Sequence, residues 1–210
     1  ALAEGIAARP PLTEDLAEGR LIVISDGLSV REGCFLLERL RREGYQVEMG
    51  YTFSNLPAET TTFCQRHFGI SSAKALDGRE INGLPAAYAA DETRVAEEMP
   101  RGEGGLLWIG IPDPLMEGGK KGAKTILEPL EAWRRTWQAM TAVLEGASGC
   151  EVWVTGDHGY IYRGPRYTDR FWSLGNSATG QRLRDLFGGG RYKADLELDE
   201  EQNTALRDYV

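Results

Sequence analysis

The chain has 210 residues, 41% of them hydrophobic, which suffices for one globular domain with a substantial core. Its net charge of -8 argues against binding driven mainly by attraction to nucleic acid or to anionic membranes. No run approaches the roughly 18 apolar residues of a membrane span, and no secretory signal is visible, so no membrane partner is expected. Cys34, Cys64 and Cys150 lack zinc-finger spacing and are expected to be buried free thiols in a reducing, cytoplasmic compartment.

The first half of the chain predicts strands that alternate with helices. Residues 1–19 contain a Pro-Pro pair and mixed charge, and they are predicted to be a lead-in or the end of a preceding segment. The domain itself is predicted to span residues 20–210. Its apolar and amphipathic runs predict a strand at 20–25, a helix at 31–44, a strand at 46–53 and a short helix at 60–68.

The second half continues the alternation. Residues 71–104 are rich in glycine and charge, and they predict one helix near 91–98. The apolar runs GLLWIGI and EVWVT predict strands at 105–111 and 151–155. A long amphipathic helix is predicted between them, at 127–146. This order is typical of an α/β fold with a doubly wound, mostly parallel central sheet flanked by helices.

Three of the predicted strands are followed by an aspartate. Asp26 follows LIVIS, Asp113 follows GLLWIGIP, and Asp157 with His158 follows EVWVTG. The carboxyl ends of parallel strands meet at one edge of a sheet, and clustered carboxylates repel one another unless a cation lies between them. The sequence therefore predicts a cation site at this edge. Helix capping by each aspartate, and a hydrogen-bonded Asp-His pair that closes a turn, are the structural alternatives.

Three segments resemble the alkaline phosphatase superfamily and, within it, PglZ-type domains. They are LIVISDGLS, FSNLPAETTTF and VWVTGDHGYIYRG, and the resemblance covers about residues 20–175. It implies an alkaline-phosphatase-like doubly wound fold, a two-metal centre, and hydrolysis or transfer of phosphate esters. PglZ-type domains occur in bacterial phage-defence systems of the BREX type, and also as effector domains that resemble phosphodiesterases.

The resemblance also implies the metal ligands. One metal site of the superfamily is matched by four residues of this chain: Asp26, Thr60, Asp157 and His158. The second site is matched by Asp113, with Glu117 where the family has a histidine, and no histidine follows His158 to complete it. Zinc is the expected divalent metal, with manganese or magnesium as alternatives. An exposed loop carboxylate is the alternative role for Glu117.

Thr60 matches the position of the family's nucleophile, and its spacing from Pro57 favours it over the neighbouring threonines. The resemblance implies that its hydroxyl attacks phosphorus and that a phosphothreonine forms. Ser25 is predicted to point to the other face of its strand, and Cys64 has no evident activating base. The candidates for holding the phosphate-ester substrate are Arg163, Arg166 and Lys120. Ordinary surface charge is the alternative role for these three.

Two functions from different classes follow. The first is a metal-dependent phosphodiesterase acting on nucleotides or oligonucleotides, cytoplasmic and part of a BREX-type phage-defence system. The second is a degenerate, non-catalytic binding or scaffold module with protein partners in a defence complex. The complete first metal site favours the enzyme, whereas the histidines missing from the second site favour the binding module.

Overall fold

The computed structural model of the chain describes residues 10–50, 58–100, 104–117, 127–147 and 149–159. Strands and helices are interspersed along these residues. The strands are β1 (Arg20–Ser25), β2 (Arg79–Ile81), β3 (Leu84–Ala89), β4 (Gly104–Ile109) and β5 (Glu151–Gly156). The helices are α1 (Val30–Arg42), α2 (Thr60–Phe68), α3 (Val95–Glu98), α4 (Asp113–Glu117) and α5 (Leu127–Gly146). Short 3-10 helices lie at Leu12–Glu14 and Ala73–Leu76.

The strands form one mixed sheet in the order β2-β3-β4-β1-β5. All neighbouring pairs are parallel except β2 and β3, which pair antiparallel at one side of the sheet. The prediction of an α/β fold with a mostly parallel sheet is therefore confirmed. Because β1 lies between β4 and β5, the residues that follow these three strands emerge side by side.

Alternation along β1 divides the core between the two faces of the sheet. Leu21 and Val23 belong to a buried cluster that includes residues of α1 and α5. Ile22 and Ile24 belong to a second buried cluster that includes residues of α2. The central strands are therefore apolar throughout, since both of their faces are covered. Helices flank the sheet on both sides, as the long apolar runs predict.

One predicted strand is wrong and most other predicted elements are confirmed. Residues 46–50, predicted as the start of a strand at 46–53, have no regular structure and are mostly exposed, while 51–53 lie outside the described residues. The physical reason is the sheet order: β4 and β5 occupy both sides of β1, so no place beside β1 remains for this segment. The helix predicted near 91–98 is limited to the short α3.

A β-hairpin lies in the glycine-rich segment 71–104, for which no strand is predicted from the sequence. β2 and β3 are joined by Asn82 and Gly83, which both have positive φ values, of 54° and 79°. Asn-Gly between two strands is the strongest short-range signal of such a turn. That dipeptide in REINGLPAAYA could have revealed the hairpin.

The described part of the predicted lead-in packs against the domain. Leu12 is buried in the second core cluster, and its N–H donates to Nδ1 of His67 in α2 at 3.0 Å. The prediction that all three cysteines are buried is wrong for Cys34, which is exposed, and for Cys150, which is only partly buried. Helix α1 turns Leu36 and Leu40 toward the core, and Cys34 lies on a different face of the helix. None of the described helices is both long and apolar enough to span a bilayer.

Candidate metal centre

The carboxyl ends of three neighbouring strands meet at one edge of the sheet. Ser25, the last residue of β1, lies level with the ends of β4 and β5. Asp26 and Asp157 therefore leave adjacent strands at the same height. Asp113 follows β4 after a short turn, and its backbone N–H donates to the carbonyl of Asp26 at 2.9 Å. The three aspartates thus lie together at the edge where the parallel arrangement predicts them.

Gly27 allows the chain to turn within this group. Its φ of +73° is in the left-handed region, and a Cβ placed on it would lie 2.8 Å from the Cβ of Asp113. Its N–H donates to Oδ1 of Asp157 at 2.9 Å. A side chain at this position would therefore strain the backbone and also push Asp113 away from Asp26. The glycine in the SDGL segment is explained by both effects.

Thr60 begins α2 and points its hydroxyl at the carboxylates. The hydroxyl donates to Oδ2 of Asp157 at 2.7 Å and lies 3.4 Å from Oδ1 of Asp26. The neighbouring threonines are placed differently: Thr61 is exposed, and Thr62 donates to the side chain of Glu59 at 3.1 Å. Of the three consecutive threonines, Thr60 alone has its hydroxyl hydrogen-bonded to these carboxylates.

His158 lies against the same carboxylates. Its side chain is only 5% exposed, and Nε2 lies 3.4 Å from Oδ1 of Asp26 and 3.6 Å from Oδ2 of Asp157. These distances permit charge attraction to both carboxylates, and among the described residues Nε2 makes no well-aligned hydrogen bond. One ligand atom each from Asp26, Asp113 and His158 lies within 4.8 Å of the others. A buried imidazole nitrogen that lies beside clustered carboxylate oxygens fits a divalent cation at this place.

The same charges shift proton affinities at the site. Burial opposes the charged form of His158, but the carboxylates of Asp26, Asp157 and Asp113 outweigh it and raise the pKa of the imidazole to about 9. Burial, and then the charge of Asp26, raises the pKa of Asp157 above its usual range. The imidazolium therefore supplies positive charge among the carboxylates at neutral pH, and a cation would replace its proton.

Ser25 and Cys64, which the sequence disfavours as nucleophiles, are not poised for attack. Ser25 is buried, and its hydroxyl donates to the carbonyl of Ile111 at 2.7 Å. Burial, and then the charges of Asp157 and Asp26, raises the pKa of Cys64 to about 12. The thiol therefore stays protonated at neutral pH, and the thiolate is the reactive form of cysteine.

Several predicted site residues fall outside the part of the chain whose side chains the structure describes. These residues are Glu117, Lys120, Arg163 and Arg166. The described ligand atoms of Asp113 group with those of Asp26 and His158, so the division into two separate metal sites stays a prediction. Among basic residues near the motifs, Arg31 donates its Nε to the buried Glu32 at 2.8 Å.

Comparison of the chain with protein-family models, with curated proteins and with solved structures finds no match. The resemblance of the three motifs to PglZ-type domains therefore stays a hypothesis.

Proposed function

We propose that this chain is a metal-dependent phosphodiesterase whose nucleophile is Thr60. One observation carries the proposal: the Thr60 hydroxyl is hydrogen-bonded to Asp157 at the edge where ligand atoms of Asp26, Asp113 and His158 cluster. The motifs add the family, a PglZ-type domain with an alkaline-phosphatase-like fold. From the same motifs we propose that the substrates are nucleotides or oligonucleotides. We also propose that the chain acts in the cytoplasm as part of a BREX-type defence system.

The donor set suits zinc, because it combines one imidazole nitrogen with carboxylate oxygens. Manganese or magnesium is favoured where the oxygens dominate. The cation, when bound, would supply Lewis acidity that favours ionisation of a nearby hydroxyl and stabilises charge on the phosphoryl group. Asp26, Asp113 and His158 are the described residues that would hold it.

The chain's own residues account for the proton and bond changes of the first step. The Thr60 oxygen forms a bond to phosphorus while its proton passes to Oδ2 of Asp157, which already accepts its hydrogen bond at 2.7 Å. Burial raises the pKa of Asp157, which makes its carboxylate a better proton acceptor. The bond from phosphorus to the opposite oxygen breaks, and the leaving alkoxide takes a proton from water. Water then hydrolyses the phosphothreonine and restores the hydroxyl.

The test compares two neighbouring threonines. Wild type, Thr60→Ala and Thr61→Ala are assayed for hydrolysis of bis(p-nitrophenyl) phosphate with zinc, manganese or magnesium, and metal content is measured by mass spectrometry. Loss of a nucleophile is expected to lower kcat by roughly 10⁴- to 10⁶-fold in Thr60→Ala. Thr61→Ala should keep wild-type activity, because Thr61 is exposed.

Two results would contradict the proposal in different ways. Equal activity of Thr60→Ala and wild type would exclude Thr60 as the nucleophile. A wild type that binds the metal but hydrolyses nothing with any of the three metals would favour the non-catalytic binding module. That alternative is supported by Glu117, which stands where the family's second metal site has a histidine.

A further inference from the structure

Tyr88 of β3 lies on the same face of the sheet as the candidate metal centre. β3 pairs with β4 so that Tyr88 is opposite Trp108, and β4 pairs with β1 so that Trp108 is opposite Ile24. Tyr88 also packs against the core cluster that contains Trp108 and Ile24. Because side chains alternate along a strand, Asp26, two residues after Ile24, starts on this same face.

A glycine lies between the Tyr88 hydroxyl and Asp26. Gly110 follows β4, and a Cβ on it would lie 2.8 Å from the Tyr88 hydroxyl and 2.8 Å from the carbonyl of Ala90. Backbone hydrogen bonds continue across this point, from Gly110 N–H to Ala89 at 2.9 Å and from Asp26 N–H to Ile109 at 2.9 Å. Neighbouring strands are about 4.8 Å apart, so Gly110 lies roughly one strand spacing from Asp26, and the Tyr88 hydroxyl lies next to Gly110.

The Tyr88 hydroxyl can donate a hydrogen bond, which the carboxylates at this edge cannot do. Ionised Asp26, Asp113 and Asp157 only accept hydrogen bonds, whereas the oxygens of a phosphate ester need donors. Burial, and then the charge of Asp26, raises the pKa of Tyr88, so its phenol keeps the proton that it would donate. Tyr88 is half-buried, so its ring is fixed by packing while part of it stays accessible.

We propose that the Tyr88 hydroxyl donates a hydrogen bond to a non-bridging phosphoryl oxygen of the substrate. This role rests on the proposed function, because it requires a phosphate ester to be bound at the carboxylate cluster. Tyr88 is then a substrate-binding residue that orients the phosphoryl group against Thr60. Gly110 has no side chain, which lets the phenol lie close against the backbone at this point.

The experiment separates metal binding from phosphate binding. Isothermal titration measures the zinc affinity of wild type, Tyr88→Phe and Tyr45→Phe, and then the affinity of each zinc-loaded protein for inorganic phosphate. Loss of a hydrogen bond to a charged group should weaken phosphate binding in Tyr88→Phe by roughly 10- to 100-fold and leave zinc affinity unchanged. Tyr45→Phe is the matched control, since Tyr45 is an exposed tyrosine that follows α1, and both of its affinities should equal those of wild type.

The possible results separate this inference from the proposed function. Equal phosphate affinity in Tyr88→Phe and wild type overturns the role of Tyr88 and leaves the phosphodiesterase proposal standing. Zinc affinity that falls as much as phosphate affinity indicates a purely structural role and also overturns it. A wild type that binds neither zinc nor phosphate overturns both proposals.

A second measurement covers the case in which Tyr88→Phe does not fold. 3-Fluorotyrosine is incorporated at position 88 of the otherwise unchanged chain, and its fluorine resonance is followed while phosphate is added to the zinc-loaded protein. A saturable shift that matches the phosphate affinity supports the contact. An unchanged resonance at saturating phosphate overturns it.

Discussion

The two histidines of the chain use the imidazole in different ways. Nδ1 of His67 accepts the backbone N–H of Leu12, and its ring packs against Phe63 with centroids 4.3 Å apart. His158 instead lies among carboxylates, with Nε2 3.4 Å from Oδ1 of Asp26 and 3.6 Å from Oδ2 of Asp157. His67 is therefore suited to holding the fold together, and His158 is suited to holding a cation.

Replacing each histidine tests this division. His158→Ala should weaken zinc binding by at least the roughly 10- to 100-fold that loss of a supporting group costs a metal site. His67→Gln should keep the zinc affinity of wild type, because glutamine can still accept the N–H of Leu12 and lies away from the cluster. Equilibrium dialysis followed by elemental analysis measures both variants. Undiminished zinc binding by His158→Ala would show that the imidazole is not a ligand.

Metal affinity should rise with pH, because the imidazole must lose its proton to bind a cation. The pKa of His158 is raised to about 9, so below that value the cation competes with a bound proton. The expected result is an affinity for manganese that increases about tenfold for each pH unit between about pH 6 and pH 8. Titrations at several pH values measure the slope, and a slope near zero would contradict His158 as a ligand.

The stability of the metal-free protein should change with pH in the opposite direction to the metal affinity. Because the folded-state pKa of His158 lies above its usual value, the contribution of its imidazolium to stability is complete below about pH 6.5. That contribution is lost as the pH rises toward about 9. Zinc or manganese binding and the stability of the metal-free fold should therefore respond to pH in opposite directions over this range.

At the scale of elements, the turn after β1 fixes how closely Asp113 approaches Asp26. Gly27→Ala and Gly19→Ala are a matched pair, with φ values of +73° and +75°. Each should lose roughly 1–2 kcal/mol of unfolding free energy, because alanine is strained in the left-handed region. A Cβ on Gly19 has no atom of the described residues within 4 Å, whereas a Cβ on Gly27 would lie 2.8 Å from that of Asp113.

Gly27→Ala should therefore lose about 1–3 kcal/mol more than Gly19→Ala, since added atoms in a packed site carry that further cost. It should also bind zinc more weakly, because Asp113 is displaced. Urea unfolding gives the two free energies, and dialysis gives the metal affinities. Equal losses in both variants, with zinc binding retained, would show that the approach of Asp113 is not constrained by Gly27.

Sequence patterns predict the elements that carry the cluster but not all of their neighbours. Long apolar runs predict β1, β4 and β5 because these strands are covered on both faces. Their aspartates then meet at one edge through parallel pairing alone. The strand predicted at 46–53 was wrong in its described part, because pairing partners are chosen by the whole sheet and both sides of β1 are taken.

The position of Tyr88 shows what the sequence pattern does not contain. Its approach to the cluster depends on the register that pairs it with Trp108 and on the missing side chain at Gly110. Neither feature has a local signature, since the register joins segments that are distant in sequence. The sequence alone is enough to select four residues as candidates, because each lies in a short motif at the end or start of an element. They are Asp26, Thr60, Asp157 and His158.

At the scale of the whole molecule, the cluster joins segments from distant parts of the chain. Asp26 follows β1, Asp113 follows the short turn after β4, and His158 follows β5. A cation held by these three would link three adjacent strands at one edge. Since a cation of this kind binds the folded chain far better than the unfolded chain, its binding free energy adds to the stability of the fold.

Zinc should therefore raise the melting temperature of the wild type. At a free zinc concentration 100 times Kd the gain is about 2.7 kcal/mol, which for a chain of this size corresponds to roughly 5–10 °C. His158→Ala should show little or no shift at the same zinc concentration, and a chelator should reverse the shift in the wild type. Differential scanning calorimetry with and without zinc measures both proteins. An equal shift in His158→Ala and wild type would mean that zinc stabilises the chain somewhere other than this edge, whereas a shift confined to the wild type ties the ion to the point where the three strands end.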